Sequence, residues 1–297
     1  MTSPRVMFFF INIMGKIPLF ISHKLGEMIG WFLYQFDNGM RFKVTRNVTR
    51  CFPTLSAPEQ KTLIKRSMQE TMKMVLEMPI VWSTPKTKKC HDLLTLHHEA
   101  LLKDAYQAGK GVLLLSPHLG AWEVAIFWLA KHYPVYAMYK PQKKPEINDF
   151  VARARGDSGT IMVPATVSGI RTAIKALRAG KVVAILPDHD PGENNGGCFV
   201  PFFGIQTRTM SLVNELAKRT DAAVVFGFAK RLGAGKGYEG YFQAAHPDIY
   251  SADRIKALTS MNQDIEKMVA LAPEQYEWAV RRFRARPEGE APFYDKN

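Results

Sequence analysis

A histidine and a glutamate separated by four residues give the first indication of chemistry in this chain. His118 follows a short apolar run, residues 112–115, and Glu123 follows the interruption at Leu119-Gly120. Five helical steps of about 100° would turn two side chains roughly 140° apart, so they meet only if His118 precedes the helix on a turn. Such a pair suits proton abstraction, because the carboxylate fixes the imidazole tautomer and the free nitrogen accepts a proton. The alternative is a helix-entry histidine beside a glutamate that only complements the helix dipole.

Apolar runs alternate with helical patterns on both sides of this pair. The runs 112–115 and 182–186 are continuous, which is typical of strands covered on both faces. Further strands are predicted at 93–96, 134–139, 160–163, 222–229 and 238–245. Ser56 and Glu59 form a capping box that predicts a helix to about residue 82. Residues 199–204 are predicted to be an apolar loop, with Thr209 as the cap of a helix at 210–219. This alternation predicts an α/β fold, a single domain with a largely parallel, mixed central sheet flanked by helices. His118 and the triplet Asp188-His189-Asp190 both follow strands, and ligands bind beyond the carboxyl ends of such strands.

The N-terminal stretch, residues 6–36, is unusual because aromatic and aliphatic residues alternate with single charges. Lys16, Lys24 and Glu27 leave no window of about 18 residues without charge, so a membrane-spanning helix is not predicted. No small-residue cleavage site follows, which disfavours a signal peptide. A short tilted insertion, an interfacial helix pair and a buried core helix remain open. Aromatic residues flanked by cations favour contact with the membrane interface. We therefore predict an N-terminal membrane-anchoring helical segment at 1–40 and a main domain at 41–297.

The composition indicates anionic partners. The 297 residues include 40 Lys and Arg against 27 Asp and Glu, a net charge of +13, and 46% are apolar. Nucleic acid, an anionic membrane, and phosphorylated or acidic substrates all fit this charge. Nucleic acid is disfavoured because the chain has no zinc-finger spacing, RNA-binding aromatic signature or convincing helix-turn-helix. Three widely spaced cysteines, Cys51, Cys90 and Cys198, predict neither a disulfide framework nor a metal site.

An ordered series of motifs extends over nearly the whole chain. The series contains Arg46-Asn47 with Phe52-Pro53, His118-Leu-Gly-Ala-Trp-Glu123, Tyr139-Lys-Pro141, Arg153 with Arg155, Asp188-His-Asp190-x-Gly192, Phe199-Val-Pro-Phe-Phe-Gly204, Thr209 and Gln275-Tyr-x-Trp278. In this order it resembles the bacterial lipid A biosynthesis acyltransferases, members of the glycerolipid acyltransferase superfamily. The resemblance implies transfer of a fatty acyl chain from acyl carrier protein to a hydroxyl of a phosphorylated lipid A precursor, at the cytoplasmic face of the bacterial inner membrane.

The resemblance also implies roles for individual residues. By this resemblance, His118 is the general base and Glu123 is the group that orients it. Residues 41–297 are then the acyltransferase domain. Backbone N–H groups near Gly120, helped by an arginine, would stabilise the thioester oxyanion. Arg155, or Arg153 in its place, would hold a phosphate or sugar group and be positioned by Asp188.

The remaining implied features concern the acyl chain and the co-substrate. Phe199, Phe202 and Phe203 either line an acyl channel or pack beneath the sheet. No metal and no cofactor is expected, only acyl carrier protein or coenzyme A as the acyl donor. Ala121 and the arginine-rich segment 281–286 depart from many relatives, which leaves the identity of the acceptor open.

Three other functions are compatible with the same residues. The chain could be an acyltransferase of this fold that acts on another lipid acceptor, or a thioesterase in which water replaces the acceptor. It could also be a non-catalytic lipid-binding membrane protein that retains the fold, although the His118 and Glu123 pair argues for catalysis.

Overall fold

Strands and helices alternate through most of the chain in the computed structural model, which describes residues 11, 13–83, 93–140, 145–193 and 196–295. The helices are α1 (Leu19–Gln35), α2 (Gly39–Cys51), α3 (Ala57–Trp82), α4 (Glu99–Gln107), α5 (Trp122–His132), α6 (Pro145–Asp157), α7 (Val167–Arg178), α8 (Leu212–Thr220) and α9 (Arg254–Leu271). The strands are β1 (Leu94–His97), β2 (Val112–Leu115), β3 (Val135–Tyr139), β4 (Ile161–Pro164), β5 (Val182–Ile185), β6 (Gly197–Phe202), β7 (Ile205–Met210), β8 (Ala223–Arg231) and β9 (Tyr238–Ala244).

The main sheet has seven strands in the order β1-β9-β8-β2-β5-β3-β4. Its pairs are parallel except that of β8 with β9, which is antiparallel. The α/β single domain with a largely parallel, mixed sheet is therefore confirmed. The helix predicted from the Ser56 and Glu59 capping box is also confirmed, since both capping hydrogen bonds are present at the start of α3.

Central strand β2 is buried on both faces, as its unbroken apolar sequence predicts. Leu113 and Leu115 belong to a core that also contains residues of α7, α8 and α9. Val112 and Leu114 belong to a separate cluster on the other face, which α4 and α5 cover. Because helices cover each face, the polar groups of a site are expected at the ends of the strands.

Residues 199–204 were predicted to be an apolar loop, and this prediction is wrong. They belong to a two-stranded antiparallel hairpin of β6 and β7. The two residues between the strands, Phe203 and Gly204, have φ values of +49° and +73°, the combination found in tight type I′ turns. Thr209, which was expected to cap a helix, lies on β7, and α8 begins after Ser211.

Helix α1 has its polar face inward. Its buried residues are Ser22, His23, Gly26 and Gly30, and they pack against α3. A Cβ on Gly26 would lie 2.6 Å from the Cα of Lys73, so the two helices need glycine for this close approach. Large apolar side chains occupy the outward face. Within the described residues, no helix has both the length and the apolar character needed to cross a membrane.

A buried guanidinium connects these helices to the main sheet. Arg231, at the end of β8, donates to both carboxylate oxygens of Glu77, at 2.8 and 2.9 Å, and to Glu70 at 3.1 Å. Glu77 also contacts His23 at 2.8 Å and accepts from the Tyr238 hydroxyl at 2.9 Å. Burial opposes ionisation of Glu77, but the charge and hydrogen bonds of Arg231, followed by those of His23, lower its pKa to about 2.

Candidate active site

His118 and Asp188 meet at the carboxyl ends of two neighbouring strands. His118 follows β2 and Asp188 follows β5, and these strands pair in register up to Leu115 and Ile185. The Asp188 carboxylate accepts the backbone N–H of His118 at 2.9 Å and contacts ring Nδ1 at 2.8 Å. Both contacts hold the imidazole in one orientation, and an Nδ1–H bonded to Asp188 leaves Nε2 as the basic nitrogen.

The electrostatics of this pair favour a charged imidazole. Burial alone would lower the pKa of His118, but the charge and hydrogen bond of Asp188, with a smaller contribution from Glu277, raise it above 6.5. Burial opposes ionisation of Asp188, yet the charge and hydrogen bonds of His118 hold the pKa of this carboxyl well below its usual range. Asp188 is therefore ionised at neutral pH, and His118 is the group that gains and loses a proton.

Glu123 is not the carboxylate that holds the His118 ring, contrary to the prediction. Glu123 lies on the first turn of α5, as its spacing predicts, but its two carboxylate oxygens accept from Nε and Nη2 of Arg155. Arg155 was in turn expected to be positioned by Asp188. The partners are thus exchanged: Asp188 orients His118, and Glu123 fixes Arg155. Arg153, the alternative to Arg155, is exposed on α6.

The turn between β2 and α5 is fixed by backbone hydrogen bonds. The Gly120 N–H donates to the Gln275 carbonyl at 3.0 Å, and the Ala121 N–H donates to the Ala229 carbonyl at 2.7 Å. Gly120 has φ +64°, and a Cβ there would collide with the Ala229 carbonyl oxygen. The Gly120 N–H is therefore not available to bind an oxyanion. Of the N–H groups near Gly120 that were predicted for this role, those of the first turn of α5 have no side-chain cap.

Two residues that the sequence analysis left out of the site lie next to His118. The ring of His189 stacks on that of His118 with a centroid distance of 3.7 Å and an interplanar angle of 3°. The Glu277 N–H donates to the His118 carbonyl at 3.0 Å, and its carboxylate lies 3.3 Å from Nε2 of His189. Glu277 occupies the unspecified position of Gln275-Tyr-x-Trp278, so the motif gave no reason to single it out. His189 lies between two aspartates, and the sequence alone does not distinguish its role from theirs.

The two aspartates that flank His189 have separate partners. Asp188 binds His118, whereas Asp190 accepts from Arg208 at 2.8 and 3.1 Å and from the Gly192 N–H at 2.9 Å. A metal held by Asp188, His189 and Asp190 together is therefore disfavoured by these contacts.

A narrow apolar pocket opens beside the site, between α5 and the sheet. It encloses about 650 Å³ of space outside atoms, part of it open to solvent. Ser116, Trp122 and Arg155 line the end near His118, whose ring lies 5.2 Å from that of Trp122. Leu94, Leu96, Gly227, Gly240 and Phe242 line the part formed by β1, β9 and β8. Most of the residues that line the pocket are apolar, and its polar end lies near the imidazole.

The three phenylalanines that were candidates for lining an acyl channel, Phe199, Phe202 and Phe203, are not among the residues that line this pocket. Phe202 is buried in the core cluster that lies on the other face of the sheet, with Phe203 packed against it. Phe202 contacts the rings of Tyr276 and Phe283, and Phe203 contacts that of Trp278. Phe199 lies on hairpin strand β6 and is partly buried. Of the two alternatives for Phe202 and Phe203, packing beneath the sheet fits the structure.

The fold and the site define an α/β protein with a histidine–aspartate pair, a group suited to proton transfer, at the mouth of an apolar pocket. Comparison with known families is more specific. The model of the bacterial lipid A biosynthesis acyltransferase family matches residues 5–285, and the chain belongs to this family. It is therefore an acyltransferase.

Individual relatives support the same assignment over almost their full lengths. The chain is 28% identical to the lipid A biosynthesis lauroyltransferase of Escherichia coli K12, over 92% of this chain and 89% of the relative. It is 27% identical to the palmitoleoyltransferase of the same strain, over 97% and 92%. Identity to the myristoyltransferase is 25%, over 90% and 82%. These relatives are named for different acyl groups, so similarity alone does not select one.

Asp188→Asn should move the pH dependence of catalysis. Protonated His118 cannot accept a proton, so kcat/KM should fall as pH decreases through its pKa, with a midpoint above 6.5. The amide introduced by this substitution can still accept a hydrogen bond but carries no charge, so the midpoint should shift to lower pH. The plateau should also fall, because the uncharged amide no longer stabilises the imidazolium that forms during transfer.

Asp190→Asn is the matched control, since Asp190 pairs with Arg208 rather than with His118. Its midpoint should equal that of the unmodified enzyme. An unchanged midpoint in Asp188→Asn would mean that the titrating group is not His118.

Proposed function

We propose that the chain transfers a fatty acyl group from acyl carrier protein to a hydroxyl of a phosphorylated lipid A precursor. The proposal joins the family assignment to the geometry around His118. The contact between Nδ1 of His118 and Asp188, next to an apolar pocket, is the observation that carries it. An acyl thioester lying in that pocket would bring its carbonyl carbon near the basic nitrogen.

The reaction follows from these groups without a covalent enzyme intermediate. Nε2 of His118 removes the proton of the acceptor hydroxyl while its oxygen forms a bond to the thioester carbonyl carbon. When the tetrahedral intermediate collapses, the carbon–sulfur bond breaks and the imidazolium returns the proton to the leaving thiolate. Asp188 stabilises the imidazolium between these steps. The chemistry proposed here requires no cofactor and no metal.

Arg155 is the proposed cationic group at the reacting carbonyl. It lines the pocket end near His118, and Glu123 holds its guanidinium by two hydrogen bonds. The first turn of α5 lies beside it, and no side chain caps this helix start. We assign the oxyanion to Arg155 and to the N–H groups of that turn, in place of Gly120. Glu123 is then a positioning residue for Arg155.

His118→Ala is expected to abolish acyl transfer without unfolding the protein. The imidazole is the base in this mechanism, so turnover of purified enzyme with acyl carrier protein donor and lipid A precursor should fall by at least about 10²-fold. Thermal unfolding should show that the fold persists. Near-normal turnover by this variant would contradict the mechanism.

His246→Ala is the matched control, because His246 is on the surface and far along the chain from the site. The same assay without acceptor separates transfer from hydrolysis. Release of free fatty acid as fast as transfer would identify the chain as a thioesterase. If the enzyme acylated another lipid but not the lipid A precursor, the acceptor named in this proposal would be wrong.

The acyl chain is proposed to lie in the pocket beneath α5. Two strand positions on its wall are glycines, Gly227 and Gly240, and a Cβ at either would press against a side chain that lines the pocket. A Cβ on Gly240 would lie 2.6 Å from Cδ2 of Leu96, and one on Gly227 would lie 3.0 Å from the ring of Phe242. Because Leu96 and Phe242 also line the pocket, substitution of either glycine shortens the space for the chain.

Gly240→Ala should shift the preference of the enzyme toward shorter acyl donors. Each methylene that no longer fits loses about 0.8 kcal/mol of burial, which corresponds to about fourfold in kcat/KM for that donor. Competition between donors of successive chain lengths measures the shift. Gly39→Ala, where an added Cβ meets no atom within 4 Å, is the control. An unchanged donor profile in Gly240→Ala would place the acyl chain elsewhere.

Helix α1 is proposed to lie on the cytoplasmic face of the inner membrane. Its outward side chains include Phe20 and Phe32, both 54% exposed, and Met28, which is 58% exposed. Its buried side consists of serine, histidine and glycine, the reverse of the pattern for a helix in water. Apolar side chains facing outward suit insertion between lipid headgroups. The net charge of +13 favours an anionic leaflet, the phosphorylated acceptor and the acidic carrier protein.

Phe20→Glu combined with Phe32→Glu should release the protein from membranes. Burial of each phenylalanine contributes about 1.5–3 kcal/mol, so together they should change partitioning by at least about two orders of magnitude. Sedimentation with vesicles of inner-membrane composition measures the fraction of protein bound to the membrane. Point substitutions are preferable to deletion, because removal of α1 would uncover α3.

Val167→Glu is the control, since Val167 is 70% exposed but lies at the start of α7. Its partitioning should not change. Retention of the double variant on vesicles at high salt would show that the anchor is outside α1.

A further inference from the structure

Three side chains beside the proposed base have the composition of a transition-metal site. His118, His189 and Glu277 each offer one ligand atom, and these atoms all lie within 4.8 Å of one another. Two imidazole nitrogens and one carboxylate, with a fourth position open, are the donor set of many zinc sites. The three residues come from separate segments: the end of β2, the loop after β5, and the C-terminal segment.

Two observations independent of this clustering point to a ligand. Nε2 of His189 and Oε2 of Glu277 are buried atoms without a hydrogen-bond partner among the described residues, although they lie 3.3 Å apart. Buried polar atoms normally have a partner, and a shared cation would satisfy both. In addition, Nδ1 of His118 is already bonded to Asp188. Metal-binding histidines almost always have their second nitrogen held by such an outer carboxylate or carbonyl.

We propose that His118, His189 and Glu277 bind Zn²⁺ and that the bound ion inhibits acyl transfer. The ion would occupy Nε2 of His118, the atom that must accept the proton of the acceptor hydroxyl. Inhibition thus rests on the proposed function, whereas binding of the ion does not. Zn²⁺ and its transition-metal neighbours fit these ligands, whereas Mg²⁺ and Ca²⁺ prefer oxygen ligands.

The stacked rings require one adjustment for joint coordination. With an interplanar angle of 3°, the two imidazoles face each other rather than a common point. His189 must therefore tilt when the ion binds. Its side chain is 42% exposed and follows β5 in irregular backbone, so this rotation is not opposed by core packing.

Zinc binding is tested directly on the purified full-length enzyme without substrate. Competition against a chromogenic chelator should give one tight site per chain. His189→Phe keeps an aromatic ring against His118 but removes the ligand, and Glu277→Gln keeps the side-chain shape but removes the charge. Loss of outer residues already weakens metal sites by about 10- to 100-fold, so each variant should bind Zn²⁺ at least about 100-fold more weakly.

Inhibition is tested in the same preparations, each variant compared with itself with and without Zn²⁺. The unmodified enzyme should lose activity as the site fills and regain it with a chelator, and Mg²⁺ should have no effect. The zinc concentration for half-inhibition should rise at least about 100-fold in both variants. His97→Ala, which removes an exposed histidine 3.7 Å from Glu239, is the matched control and should keep full zinc sensitivity.

Three results would overturn the proposal. They are the absence of a tight site in the unmodified enzyme, equal zinc affinity in His189→Phe and Glu277→Gln, and full activity with the site occupied. Because the binding measurement uses no substrate, its outcome does not depend on whether His118 is the base. If His118→Ala still transferred acyl groups, the proposed mechanism would be contradicted, but the measured zinc affinity would remain valid.

Discussion

The buried guanidinium of Arg231 is the constraint on which the arrangement of this protein depends. A fully buried cation is costly unless carboxylates and further hydrogen bonds surround it. Here Glu77 and Glu70 come from α3, and His23 of α1 binds the same Glu77. The guanidinium also donates to the Gly120 carbonyl at 3.3 Å, within the turn that follows His118. The Arg231 guanidinium therefore links α1, α3 and the turn that follows His118.

The sequence predicts the sheet well because its strands are short, apolar and separated by glycine or polar turns. Val112–Leu115 agrees residue for residue, and Val182–Ile185 differs by one. The hairpin was missed because Pro201 interrupts its first strand and because its turn is Phe203-Gly204 instead of the usual Asn-Gly. A phenylalanine with positive φ is stabilised by contacts that local sequence does not reveal. Its N–H donates to Glu266 at 2.6 Å, on α9.

The site was predicted less completely than the fold, for a definable reason. Spacing along the chain correctly puts His118 on a turn and Glu123 on a helix, but it does not decide which distant side chain meets which. Asp188 is 70 residues from His118, and it reaches the histidine only because β5 lies directly beside β2. Sheet order is set by packing of whole strands and helices. The backbone N–H of Glu277 donates to the His118 carbonyl, but Glu277 lies in a segment without helix or strand, which sequence patterns do not predict.

The observed pairing of Asp188 with His118 and of Glu123 with Arg155 also has an electrostatic reason. The Glu123 carboxylate accepts two hydrogen bonds from the Arg155 guanidinium, so its charge is paired with that of Arg155. It is therefore poorly suited to compensate a second cation that appears and disappears during turnover. Asp188 has no arginine among its described hydrogen-bond partners and can serve the transient imidazolium alone. In the proposed mechanism the two pairs therefore have separate roles: Glu123 with Arg155 holds a permanent charge at the pocket, and Asp188 with His118 carries the transferred proton. A direct pair of His118 with Glu123 would have left Arg155 buried without its counter-ion.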